Sequence, residues 1–144
     1  MTNGVCIVPR LSGGPERVRG LVTVDRDPQG VTAVWIPSLS QRPCRTATIR
    51  AGASVAARLA EHVRSAPGVG AGKVACPKDD GSAVELFFAY GSGHALEYVS
   101  VALRGCAFVA APGRAARQLT IRLLRDLAGL APQPWADTIR QRTG

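Results

Sequence analysis

The spacing of hydrophobic and polar positions changes several times along the chain, and each change marks an expected element. Leu21–Val24 and Val31–Ile36 are short β-like runs joined by DRDPQG, a turn rich in Pro and Gly. SLSQRP then interrupts the chain before a third run, CRTATIR, where Thr46, Thr48 and Arg50 alternate with Arg45, Ala47 and Ile49. From about Ala53 to Ser65 the period lengthens. Val55, Leu59 and Val63 recur every four residues, leaving Arg58, Glu61, His62 and Arg64 largely outside the stripe, which predicts an amphipathic helix. Pro67 and Gly68 end it, and GVGAG reads as a connector.

AVELFFAY and HALEYVSVAL follow as two β-rich runs about GSG, a predicted hairpin in which Gly93 takes a positive φ. After Cys106 and APG, Arg114 to Leu130 is expected as a second helix. Leu119, Leu123, Leu127 and Leu130 would share one face, with Arg114, Arg117, Arg122 and Arg125 on the other. Pro132 and Pro134 stop it. The expected organisation is an N-terminal arm at 1–20, a single domain at 21–131 and a tail at 132–144. The order of elements predicts an α+β fold, a mostly antiparallel sheet with two helices packed on one face.

A chain of 144 residues is long enough to bury a core of its own, and 46% hydrophobic residues is an ordinary globular value. Of the 18 basic residues only Lys73 and Lys78 are lysine, and the net charge is +8. That excess favours acidic partners, whether nucleic acid, anionic polymer or an acidic protein face. An arginine bias in a chain rich in Ala, Gly, Pro and Val also follows from a GC-rich genome without selection for binding. No apolar stretch reaches the length of a membrane span. MTNGVCIVPRLSGG lacks a charged region leading into an apolar run and is not a signal peptide.

The cysteines stand at 6, 44, 76 and 106, with no CxxC and no histidine beside any of them. Structural zinc draws its ligands as close pairs, and a thioredoxin-like centre needs CxxC, so neither fits. Two disulfides in an oxidising compartment is the preferred reading, against four buried free thiols in a cytosolic protein. Cys76 and Cys106 flank the predicted hairpin, which brings them together, and Cys6 is left to pair with Cys44. A secreted or surface-attached protein is therefore expected, its export signal absent from these residues.

Most candidate chemistry fails on spacing. In PGVGAGKV the first glycine of a phosphate loop falls at Pro67, and Val74 replaces the magnesium-binding hydroxyl. DRDPQG places Asp25, Asp27, Gln29 and Gly30 as in a calcium loop, but Ile36 stands where the bidentate Glu belongs. The only histidines are His62, on a predicted exposed helix face, and His94, beside the hairpin turn. Neither has a nucleophile or orienting acid at a recognisable spacing. The expectation is a protein that is not an enzyme, with no metal and no cofactor. Arg114, Arg117, Arg122 and Arg125 form a candidate anion-binding face, although no aromatic platform for bases lies nearby.

One stretch carries a family likeness. ARLAEHVRSAPGVGAGKVACPK, followed by a hairpin and a closing Cys106, resembles the subtilisin-inhibitor-like proteins secreted by actinomycetes. The resemblance covers Ala56 to Cys106. It implies a protease-binding loop of Cys76, Pro77, Lys78 and Asp79, stiffened by Cys76 and Pro77, with Lys78 entering the specificity pocket of a serine protease. A lysine there suits a trypsin-like pocket with a buried carboxylate. The chain departs from that pattern at Asp79 and Asp80, in its distant Cys6 and Cys44, and in the helix expected after Cys106. A similar outline through Leu130 resembles uncharacterised actinobacterial lipoproteins and secreted proteins, which implies an interaction domain of unknown ligand. A cytosolic, basic nucleic-acid-binding protein with reduced cysteines is the remaining alternative.

Overall fold

The computed structural model describes residues 20–38, 44–70 and 80–143. They form an α+β fold of six strands and three helices. The strands are β1 Gly30–Ile36, β2 Ala47–Ala51, β3 Ala83–Ala89, β4 Glu97–Ala102, β5 Phe108–Ala110 and β6 Arg117–Gln118. The helices are α1 Ala53–Ser65, α2 Ile121–Ala128 and α3 Trp135–Thr143. The sheet runs β2-β1-β3-β4-β5-β6, and every neighbouring pair is antiparallel.

Strand alternation sets one face of this sheet. Val31, Ala33 and Trp35 of β1 lie opposite Phe88, Leu86 and Val84 of β3. Val84 and Leu86 lie opposite Val101 and Val99 of β4, and Val101 opposite Val109 of β5. Because side chains alternate across a pleated strand, all of these project to the same side. They join Ala56, Leu59, Ala60 and Val63 of α1, Leu123, Leu124 and Leu127 of α2, and Trp135 and Ile139 of α3 in one buried cluster. The alternate row holds Thr32, Phe87 and Tyr98 as cross-strand neighbours. The Phe87 and Tyr98 rings sit 5.2 Å apart, and the Tyr98 hydroxyl donates to the buried Glu85 carboxylate.

α1 matches its expected limits, and Val63 and Leu59 are fully buried. The expected second helix is corrected: α2 begins only at Ile121. Arg117 and Gln118 instead pair with Val109 and Phe108, so strand pairing overrides the helical spacing upstream. Thr120, in extended conformation, caps α2 by accepting the Leu123 amide at 3.3 Å. The leucine spacing survives the change: Leu123 and Leu127 are buried, and Leu119 and Leu130 pack against the core.

The residues expected as a tail contain a third helix. Trp135 sits 6.3 Å from Trp35, centroid to centroid, and its indole N–H donates to the Ile36 carbonyl at 2.9 Å. Leu21–Val24 is not a strand. It is held by one parallel bridge from Leu21 to Ala115 and by the Val22 amide donating to Ala115. The hairpin connection spans residues 90–96 rather than three glycine-serine positions, because pairing ends at Phe88 and Glu97. Gly93 adopts φ +87°, as its turn position requires, and Gly91 adopts φ +112°.

Candidate functional site

Cys76, Pro77, Lys78 and Asp79, with Cys6, lie outside the described residues. The chain on either side of the segment 71–79 is described, and both shoulders are fixed to the sheet. Upstream, the Gln118 amide donates to Pro67 at 2.8 Å and the Val69 amide to Ala116 at 3.0 Å. Gly68 bridges Arg117 in antiparallel fashion. Downstream, Asp80 Oδ1 accepts from the Ser82 amide at 2.9 Å and from the Ser82 hydroxyl at 2.6 Å. This is the local turn for which short acidic side chains are selected. Asp80 Oδ2 also faces Arg104 Nε at 3.5 Å, and the Leu103 amide donates to Ser82 at 3.0 Å.

Arg104 opens a tight turn toward Cys106, with Gly105 at φ +72° and Ala107 at φ +51°. The Ala107 amide closes that turn on the Arg104 carbonyl at 3.3 Å. Cys106 and Cys44 are both disulfide-bonded, and no free cysteine occurs among the described residues.

The four arginines expected on one helical face do not share one. Arg114 precedes β6 and Arg117 belongs to it, while Arg122 and Arg125 are exposed on α2. Arg117 turns inward. Its Nε donates to the Val22 carbonyl and its Nη1 to the Ala66 carbonyl at 2.6 Å. Burial of that guanidinium lowers its affinity for the proton below the usual arginine value. It is a structural clamp joining the Leu21–Val24 segment to Ala66, the residue that caps the end of α1.

Two polar groupings arise that spacing alone did not reveal. His62, expected on an exposed face, is in contact with Asp126 of α2, with Nδ1 donating to Oδ2. The side chains are only 21% and 8% exposed. Beside them lies a cleft of about 110 Å³ between α1 and α2, lined by Val55, Arg58, Arg125, Asp126, Gly129 and Leu130. The second grouping lies where the turn after Val24 meets the hairpin. The Asp25 amide donates to Glu97 Oε2 at 3.0 Å, and the Tyr90 hydroxyl donates to the Asp25 carbonyl at 2.7 Å. Arg64 reaches the Val24 carbonyl at 3.3 Å. Burial, then the neighbouring Asp25 side chain, pushes the Glu97 carboxyl above the ordinary carboxylate value. Burial first, and then Glu97, likewise raises the Tyr90 phenol.

His94 is exposed on the hairpin connection. Among the described residues no group of three or more His, Cys, Asp or Glu side chains is placed to hold a metal ion, and no helix is long and apolar enough to cross a membrane. No protein-family model, curated protein or solved structure matches this chain.

Proposed function

We propose that this chain is a non-enzymatic binding domain of an oxidising, extracytoplasmic compartment, and that it presents the segment between Val69 and Asp80 to a serine protease. The reading is supported chiefly by the shoulders of that segment, which are hydrogen-bonded to β6 upstream and to Ser82 and Arg104 downstream. A loop held at both ends has already lost much of the entropy that binding would cost, which is the physical basis of inhibitors that act by pre-organisation. Within the segment, Cys76 and Pro77 supply further stiffening and Lys78 supplies the side chain for a trypsin-like pocket. Cys76 pairs with Cys106 and Cys6 with Cys44 in this reading. The disulfide-bonded state of Cys106 and Cys44 agrees with it.

Titration of trypsin, with subtilisin alongside, tests the proposal on protein that has never been reduced. Stoichiometric loss of trypsin activity, abolished by Lys78→Ala, is the expected result. Absence of inhibition at micromolar protein, or simple cleavage after Lys78, overturns the protease reading and leaves an interaction domain with another ligand. Thiol titration of the denatured, unreduced protein tests the compartment separately. Four free thiols would remove the disulfide framework and favour the nucleic-acid-binding alternative. With the framework present, reduction is expected to cost roughly 3–4 kcal/mol for the Cys76–Cys106 loop, read as a fall in the urea midpoint.

A further inference from the structure

The cleft between α1 and α2 has the chemistry of a binding site that is independent of the 71–79 segment. Val55, Arg58 and His62 succeed one another at spacings of three and four along α1, so they share one helical face. Arg125 and Asp126 on α2 stand four residues before Gly129 and Leu130, which places the second wall on adjacent turns. The two walls enclose about 110 Å³.

Two arginines, Arg58 and Arg125, line this space. Arg58 and Arg125 are exposed, and neither has an ion-pair or hydrogen-bond partner among the described residues. The one carboxylate in the lining, Asp126, is nearly buried and occupied by the His62 ring. Two cations against one engaged anion leave the cleft with a positive surplus, and Val55 and Leu130 add apolar lining. Guanidinium groups bind planar oxyanions through paired N–H donors, and the site's volume is below that of cavities that admit a benzene ring.

We propose that this cleft binds a carboxylate carried on a short aliphatic group. The oxyanion lies between Arg58 and Arg125, and the aliphatic part lies on Val55, Leu130 and the Gly129 backbone. Two sources offer that chemistry: a free short-chain carboxylic acid, or the C-terminus of a peptide ending in an aliphatic residue.

Amide and arginine side-chain NMR of the intact protein, titrated with butyrate, tests the assignment. Saturable shifts at Gly129 and at the Arg58 and Arg125 Nε–H signals in the millimolar range are expected. Butyramide, which has the same shape without the charge, should leave those signals in place. Arg58→Gln and Arg125→Gln are both surface substitutions, and each should weaken butyrate by about tenfold through loss of a charge-assisted hydrogen bond. A short peptide ending in leucine, compared with its C-terminal amide, separates the sources. Tighter binding of the free-acid peptide than of butyrate identifies a chain terminus, and weaker binding identifies a small acid. No saturable shift, an equal response to butyramide, or full affinity in both variants would overturn the proposal. None of these results depends on whether trypsin is inhibited.

Discussion

The indole N–H of Trp135 donates to the backbone carbonyl of Ile36 at 2.9 Å, a bond that docks α3 on the end of β1. Trp135 is 6% exposed and packs beside Trp35, whose own Nε1 has no hydrogen-bond partner among the described residues. Replacing Trp135 by Phe keeps most of the apolar body and orphans the Ile36 carbonyl, at an expected cost of about 1–3 kcal/mol. Trp135→Ala adds a cavity and should cost about 3–5 kcal/mol. Urea denaturation followed by fluorescence of Trp35 measures both, and two variants of wild-type stability would mean that α3 is not part of the cooperative unit.

Arg117 holds two carbonyls from distant parts of the chain, Val22 and Ala66. Lysine has a single ammonium and cannot reproduce the guanidinium fork. Arg117→Lys is therefore expected to lose about 2 kcal/mol, and Arg117→Met somewhat more because both acceptors lose their donor. Amide hydrogen exchange localises the effect. Protection should fall first at Val22 and at Val69, which donate to Ala115 and Ala116 beside Arg117.

Glu97 gives the fold a pH dependence of unusual sign. Its carboxyl is raised by burial and by the Asp25 side chain, so the folded state holds this proton more tightly than the unfolded chain. The associated stabilisation is present below the ordinary carboxylate value and is lost as pH rises through the raised one. Acidification through that window should therefore strengthen the corner between Asp25 and the hairpin. Subtracting the Glu97→Gln stability profile from the native one isolates this contribution. A difference that grows toward neutral pH in favour of the native protein would contradict the sign.

Asp80 and Arg104 meet at 3.5 Å with 34% and 44% of their side chains exposed, a geometry worth about 0–1 kcal/mol in stability. If the 71–79 segment is a binding loop, the same contact matters for how well its exit is held. Arg104→Ala should leave the thermal midpoint nearly unchanged while weakening trypsin inhibition and speeding cleavage after Lys78. A parallel fall in stability and inhibition would mark Arg104 as part of the core scaffold instead.

The sequence by itself determined those elements whose apolar period is long or strict. α1 follows from Val55, Leu59 and Val63, and β1 from the alternation through Val31, Ala33 and Trp35, because burying one side of each is the dominant driving force. The positive φ of Gly93 was equally legible, since few other residues tolerate it. Tertiary structure decided the rest. Arg117 and Gln118 lie within the helix expected from Arg114 to Leu130, yet pairing with Val109 and Phe108 drew them into β6. Trp135 and Ile139 gained a helical partner only through the core that receives them, which a short polar segment after two prolines does not announce. His62 with Asp126 and Asp25 with Glu97 are contacts across 64 and 72 residues. Periodicity reports which side of an element is buried, but it carries no information about which distant polar group waits there.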